Sequence, residues 1–223
     1  MKSKFVIGLV GFLVGCGPDR DFEGKNIFGS QTTIGATSTT VTTSTASGGS
    51  DSAWPQENLG YNIDQTLPDW LAWNGYQEGP ITPGWSLLSI QEWYDPDASK
   101  SINAILVISS KYDCQACASE AKSLQSKIEL WQSQNTGIKV IVLVTNSPTN
   151  GPPNTSAALQ WKSQYNLIGA AVAVDPNFAF AVSSTFSTPL HTVVNPRNMK
   201  VIDVQEGVID DYSPLEKTAE ANK

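Results

Sequence analysis

The sequence predicts an α/β protein, a three-layer α/β/α sandwich around a mixed sheet, with a tryptophan-rich extension before it. Two observations carry this prediction. Continuous apolar runs, long enough to be strands buried on both faces, alternate with amphipathic helical segments. The last two strand-like runs are instead joined by a tight turn. Because crossovers through helices give parallel strands and tight turns give antiparallel ones, the sheet is predicted to be mixed.

The first half of this domain is predicted from two buried strands and the helix between them. The strands are the apolar runs over 102–109 (INAILVIS) and 138–145 (IKVIVLVT). Between them, apolar side chains recur at steps of four, three, four and three residues, which places them on one stripe of a helix. These side chains are Cys117, Ala121, Leu124, Ile128 and Trp131. Gly137 is expected to end this helix.

The next segment is predicted to continue the alternation. A helix over 156–165 precedes a strand over 170–174. Asp175 and Pro176 then match an N-cap and the first helical position, so we expect a short helix that runs through Phe180.

The C-terminal part is predicted to be a hairpin followed by a helix. Strands over 190–195 and 201–205 flank a Pro-Arg-Asn turn. Ser213 and Glu216 are spaced as a capping box, with Pro214 at the first helical position, so a terminal helix is expected to begin there.

The chain begins with a segment that predicts export and lipid attachment. Two lysines precede a short apolar run over 5–15, which is typical of a secretory signal peptide over 1–15. Leu13-Val14-Gly15-Cys16 resembles the lipobox of bacterial lipoproteins. The resemblance implies cleavage before Cys16 and acylation of that residue, which would anchor the protein to a membrane. The alternative is an ordinary signal peptide followed by an incidental cysteine.

Residues 16–58 are predicted to form a disordered tether. From 30 to 50, 13 of 21 residues are Ser or Thr and none is charged. Such a stretch buries too little apolar surface to offset the entropy of ordering its backbone. The folded domain is therefore expected to span 59–223.

Tryptophans cluster at the start of this domain, among glycines and prolines that suggest short strands and turns. Their clustering has two interpretations. Large aromatic side chains could pack the core, which is our expectation, or could form a platform for a ligand. The residues concerned are Trp54, Trp70, Trp73, Trp85 and Trp93.

Composition excludes several classes of protein. A net charge of −7 argues against nucleic acid as a partner. Three cysteines are too few for a disulfide-scaffold miniprotein, and no apolar run approaches the ~20 residues of a membrane-spanning helix.

Cys114-Gln115-Ala116-Cys117 is the motif that carries chemistry. It follows a predicted strand and opens a predicted helix, whose unpaired N–H groups and dipole stabilise a thiolate on Cys114. Cys117 lies one turn further on and can close a disulfide as the resolving thiol. Zinc would need two more ligands, but the chain has one histidine and its third cysteine is assigned to lipid. The motif therefore predicts a redox-active disulfide and no metal or other cofactor.

Residues 59 to 215 resemble the thioredoxin-like fold, in particular the redoxin and membrane-anchored disulfide-reductase branch. The resemblance implies that Thr188-Pro189 supplies a cis proline facing the two cysteines, with the backbone of Thr188 pairing with the substrate chain. It also implies that Glu120, three residues after Cys117, assists proton transfer. The alternative for Glu120 is a solvent-facing side chain that only complements the helix dipole.

The sequence also departs from the family. Tyr112-Asp113 precedes the first cysteine where the family usually has Trp, and the Asp113 carboxylate disfavours a thiolate beside it. Ile108 stands where thioredoxins carry a buried acid. Peroxidase chemistry fits poorly, because Lys111 occupies the position where that branch has Thr.

The expected function is that of a lipid-anchored thiol–disulfide oxidoreductase of the bacterial cell envelope, facing the periplasm, on the inner or the outer membrane. Its partners would be protein thiols and disulfides. Two alternatives remain: a non-catalytic redoxin-like binding module with a stable disulfide, and a Cu(I)-handling protein that uses both cysteines and His191.

Overall fold

The computed structural model describes residues 53–82, 84–181, 186–209 and 211–223. The predicted signal peptide, Cys16 and the tether up to residue 52 lie outside the described residues. Within the described ranges, no helix combines the length and apolarity needed to cross a bilayer.

In the part of the chain that the structure describes, seven strands form one mixed sheet. They are β1 (Ala72–Tyr76), β2 (Ser86–Ser89), β3 (Ala104–Ser110), β4 (Ile138–Val144), β5 (Ala171–Val174), β6 (Leu190–Asn195) and β7 (Lys200–Glu206). Their order across the sheet is β2-β1-β5-β4-β3-β6-β7. The three central strands β3, β4 and β5 are parallel, and every other pairing is antiparallel. The predicted α/β class and mixed sheet are confirmed.

Strand direction decides where the functional residues meet. β3 pairs in parallel with β4 from Ala104↔Ile138 to Ser110↔Val144, and β6 runs antiparallel to β3 with Ile108 opposite His191. The carboxyl ends of β3, β4 and β5 and the amino end of β6 therefore lie along one edge of the sheet. The loops attached to these ends come together there, as in other open α/β sheets.

Each face of the sheet is covered by its own layer. The helices α1 (Gln115–Ser133), α2 (Thr155–Gln164) and α3 (Ser213–Ala221) pack on one face, where β3 contributes residues such as Leu106. The other face, towards which Val107 points, is covered by a 3-10 helix over Ile90–Trp93, by the chain before β1 and by the turn after β5. Helix α1 ends at Ser133, four residues before the glycine predicted to end it.

The tryptophan-rich extension forms β1, β2 and the 3-10 helix, and it joins the sheet through β5. Trp73 and Trp93 are buried, as expected of core residues. Trp70 and Trp85 are 67% and 55% exposed. Both line a surface groove of about 690 Å³, so core packing does not account for these two side chains.

The short helix predicted after Asp175 is wrong, because this segment forms turns. The Asp175 carboxylate still binds the backbone that follows it, as an N-cap would. It accepts hydrogen bonds from the N–H groups of Asn177 (3.2 Å) and Ala179 (2.7 Å). Phe178 has a φ of 51°, which is left-handed and cannot continue a right-handed helix.

The predicted capping box at the start of α3 is also wrong, although the helix is present. Tyr212 is the N-cap and makes no side-chain capping bond. The Glu216 carboxylate instead accepts hydrogen bonds from Trp131 Nε1 (3.0 Å) and pairs with Lys127 Nζ (2.9 Å). Lys127 and Trp131 on α1 thus bind this carboxylate, which in a capping box would accept a hydrogen bond from the backbone N–H of the N-cap residue.

Candidate active site

Cys114 and Cys117 form a disulfide at the N-terminus of α1, with their Cα atoms 5.2 Å apart. Cys114 is the N-cap residue, and its Sγ accepts a hydrogen bond of 3.0 Å from the backbone N–H of Cys117. The sulfur thereby satisfies one of the unpaired donors that every helix N-terminus leaves. Cys114 is partly exposed, whereas Cys117 is 1% exposed and belongs to the core.

The Thr188–Pro189 segment faces the cysteine pair. The peptide bond between these residues is cis, as the resemblance implied. The carbonyl oxygen of Thr188 lies 3.4 Å from Cys114 Sγ. Pro189 is buried and Thr188 is partly exposed. The structure therefore brings together the sulfur predicted to be reactive and the backbone predicted to receive a substrate.

Glu120 is buried, so the solvent-facing interpretation of this residue is wrong. Its side chain is 4% exposed, although it stands in the second turn of a helix whose other face meets solvent. Glu120 Oε1 accepts a hydrogen bond of 3.2 Å from the hydroxyl of Tyr212 and lies 2.7 Å from His191 Nε2. A carboxylate buried in this way is stabilised by those two partners.

Glu120 and Cys117 line the same small internal space, together with Ile108 and Ser110 of β3. This space is too small for a water molecule. Ile108, at the position where thioredoxins carry an acid, is itself buried and apolar. Helix α1 thus supplies the buried acid that β3 lacks.

Asn146, which sequence reasoning missed, holds the segment before the cysteines. Its Oδ1 accepts a hydrogen bond of 2.7 Å from the backbone N–H of Tyr112, and its Nδ2 donates one of 2.8 Å to Asp113 Oδ1. Asn146 follows the carboxyl end of β4, beside the loop that follows β3. A polar residue directly after a neighbouring parallel strand is the signal that could have identified it.

Tyr112 anchors the same segment to α2. Its hydroxyl donates a hydrogen bond of 2.6 Å to the carbonyl of Ala157, and its ring meets that of Trp161 edge-on, with centroids 5.1 Å apart. Burial raises the pKa of Tyr112 to about 12. The phenol is therefore neutral and a donor over the whole physiological pH range.

Lys111 lies at the rim of the site, against two aromatic rings. Its Nζ is 5.3 Å from the centroid of Phe178 and 5.8 Å from that of Phe186. These contacts are in the range of cation–π interactions. They connect the turn after β5 to the residues before the cysteine motif.

The described residues contain no group of three or more His, Cys, Asp and Glu side chains placed to hold a metal ion. His191 Nε2 is directed at Glu120. The three-ligand copper site considered from the sequence is therefore not assembled in this arrangement.

No family model matches the sequence, and no curated protein matches it. Solved structures do. A candidate thiol:disulfide interchange protein DsbE from Chlorobium tepidum is 17% identical with a TM-score of 0.50, and the match covers 73% of this chain and 99% of that one. A candidate electron transfer protein from Aquifex aeolicus VF5 is 13% identical with a TM-score of 0.53, over 73% and 99% of the two chains. These similarities show that the fold is thioredoxin-like.

Proposed function

We propose that the protein is a thiol–disulfide oxidoreductase that acts on other proteins through Cys114 and Cys117. The observation that carries the proposal is the asymmetry of the pair. One sulfur is partly exposed, caps a helix and faces the Thr188 carbonyl, while the other is buried beside Glu120. A disulfide with a purely structural role needs neither difference.

In the reduced protein, Cys114 is the attacking residue. Its thiolate, stabilised by the N-terminus of α1, attacks one sulfur of a substrate disulfide. The substrate S–S bond breaks, a mixed disulfide with Cys114 forms, and the leaving thiolate takes a proton from solvent. Partial exposure of Cys114 gives the substrate access, and the backbone of Thr188 is available to pair with an extended substrate segment.

Cys117 completes the exchange. Its thiolate attacks Sγ of Cys114, the mixed disulfide breaks, and the second substrate thiol leaves. The two electrons have then passed from the cysteine pair to the substrate, and the protein is left in the disulfide form. A dithiol donor must reduce it before the next turnover. The same steps run in reverse would oxidise a substrate dithiol.

Glu120 is the proton acceptor for Cys117 in this mechanism. A buried thiol must lose its proton before it attacks, and water does not fit in the space that the two side chains share. The carboxylate of Glu120 is the ionisable group that lines this space with Cys117.

We also propose that the protein is a lipoprotein of the bacterial envelope that faces the periplasm. The lipobox-like sequence that ends at Cys16 supports this location, as does the Ser/Thr-rich stretch that separates it from the folded domain. An exported protein has access to disulfide-containing substrates, which are rare in the cytosol.

Reduction of insulin with dithiothreitol as the electron donor tests the catalytic proposal. The wild-type protein is expected to accelerate insulin precipitation, and a Cys114→Ser, Cys117→Ser double variant is expected to match the uncatalysed rate. The two proteins could instead give equal rates, and the Cys114–Cys117 disulfide could resist reduction in a glutathione buffer series. Both results together would support a stable disulfide in a binding module.

A further inference from the structure

A buried acid and a buried histidine face each other behind the cysteine pair. Glu120 on α1 and His191 on β6 are 4% and 1% exposed, and Oε1 and Nε2 are 2.7 Å apart. The sequence separates them by 71 positions, and strand β6 brings them together. His191 is the chain's one histidine, and the mechanism above does not use it.

The surroundings of His191 decide which ring nitrogen carries its proton. Nδ1 is buried and has no hydrogen-bond partner among the residues that the structure describes. A proton on Nδ1 would leave a buried donor unpaired and would turn the Nε2 lone pair towards the carboxylate. A proton on Nε2 makes a hydrogen bond to Glu120 instead. We therefore assign a proton to Nε2, which donates to Glu120 as the Tyr212 hydroxyl does to the same carboxylate oxygen.

Glu120 also separates two spaces. On its inner side it lines the gap that contains Cys117. On its outer side it lines an open surface groove of about 520 Å³, with Ser119, Ser123, Lys127 and Tyr212. No other described residue lines both. Among the described residues, Glu120 is thus the one that borders both the space around Cys117 and the groove.

We propose that His191 is a positioning residue for proton transfer, which holds Glu120 between Cys117 and this groove. The inference rests on the proposed function and adds the route of the proton. In the resolving step the Cys117 S–H bond breaks and an O–H bond forms on Glu120. The carboxyl group then loses that proton to water in the groove, and the thiolate attacks Cys114.

The groups that face Glu120 come from three elements. Cys117 is on its own helix, His191 is on β6, and Tyr212 stands before α3. Lys127, whose Nζ lies 5.4 Å from the centroid of the Tyr212 ring, is the cation that lines the groove. The proton route is therefore built from two donors, His191 and Tyr212, around one carboxylate, and the lysine at its outer end is paired with Glu216 at 2.9 Å.

The test separates the two sulfur reactions in the full-length reduced protein. A chromogenic aromatic disulfide (dithiobis-nitrobenzoate) releases one coloured thiolate when Cys114 attacks and a second when Cys117 resolves the mixed disulfide. Stopped-flow absorbance therefore gives a rate for each step across pH. Glu120→Gln is expected to slow the second phase about 100-fold at neutral pH and to flatten its pH dependence, since general-base catalysis is typically of that size.

His191→Leu removes the donor at similar volume and is expected to slow the second phase about 10-fold, with the first phase unchanged. His191→Gln places an amide N–H near the position of Nε2 and is expected to stay within about 3-fold of wild type. Thr192→Val, a neighbouring buried polar residue on the same strand, is the matched control and is expected to change neither phase.

A double variant guards against a purely structural effect. Because His191 acts through Glu120, His191→Leu is expected to add no further slowing to Glu120→Gln. If His191→Leu does not fold, Tyr212→Phe removes the other donor to the same oxygen and is expected to slow the second phase about 3-fold. A second phase with wild-type rate and pH profile in the folded His191→Leu or Tyr212→Phe variant would overturn this inference. A wild-type protein without a second phase would contradict the proposed function itself.

Discussion

Asn146 donates a hydrogen bond of 2.8 Å to Asp113, the residue that directly precedes the proposed nucleophile. The same asparagine accepts the backbone N–H of Tyr112, so it ties the loop after β3 to the loop after β4. The carboxylate that the sequence placed next to Cys114 is thus already engaged. We therefore expect this contact to limit the effect of the Asp113 carboxylate on a thiolate at Cys114.

Removal of this contact should lower the rate at which the Cys114 thiol reacts. Asn146→Ala frees the Asp113 carboxylate beside Cys114, and we expect iodoacetamide to alkylate reduced Cys114 about 3-fold more slowly at pH 7, the size of a surface charge effect. Peptide mass spectrometry of timed samples gives the rate. Asp113→Asn in the same background should restore it, and a double variant as slow as Asn146→Ala would show that the carboxylate is not the cause.

The two cysteines should behave differently when one is replaced. Cys117→Ser keeps the attacking thiol and removes resolution, so we expect it to accumulate mixed disulfides with substrate proteins. Cys114→Ser should accumulate none, because the remaining thiol is 1% exposed. Non-reducing electrophoresis after incubation with an oxidised protein substrate distinguishes them. Equal trapping by both variants would contradict the assigned roles.

Tyr112→Phe should cost stability through one hydrogen bond. Loss of the bond to the Ala157 carbonyl is expected to lower the free energy of unfolding by about 1 kcal/mol at pH 7, measured in urea. The pKa of Tyr112 is about 12 in the fold, above its ordinary value of 10.0. Its contribution is therefore complete below pH 10 and is lost as pH rises through 12. A difference between the two proteins that stays constant up to pH 12 would contradict this account.

Lys162 should make the free energy of unfolding depend on pH in the alkaline range. This buried lysine donates to the carbonyls of Leu167 (2.7 Å) and Ala170 (2.6 Å), and desolvation lowers its pKa from 10.5 to about 8. Between those values the unfolded chain binds more protons than the folded one, so stability due to this group rises with pH. We expect the free energy of unfolding of wild type, relative to Lys162→Met, to increase from pH 8 to about 10.5. A flat difference across that window would refute the assignment.

Cys16→Ser tests the anchor. If Cys16 carries lipid, the variant should leave the membrane fraction, while its folded domain keeps the circular dichroism and redox activity of wild type. Leu13→Ala offers a milder control within the same motif. Unchanged membrane fractionation of Cys16→Ser would refute the lipoprotein proposal.

Local patterns predicted most of the strands and helices. The apolar run at 138–145 and the stripe on α1 depend only on periodicity within a short window, and the structure has a strand and a helix at these places. One failure had a local cause, since Phe178 is left-handed and the segment after Asp175 forms turns. The other came where a distant partner decided the outcome. Glu216 fits a capping box locally, but Lys127 and Trp131 on another helix take its carboxylate.

The candidate site divides in the same way. The spacing of Cys114 and Cys117 before a helix is visible in the sequence, so their position could be predicted. The contact of Glu120 with His191 depends on the register between β3 and β6, which a single sequence does not contain. The two residues could therefore be identified separately, but not as a pair.

The capping role of Cys114 has a consequence for how this protein can change over time. In the proposed mechanism, the Cys114 sulfur is both the attacking atom and the acceptor that caps the helix. Replacement of Cys114 by serine or aspartate, which are preferred N-cap residues, would remove the proposed nucleophile. Selection for stability and selection for catalytic activity thus act in opposite directions on this position. A more thermostable variant that kept its activity would need its stabilising substitutions at other positions.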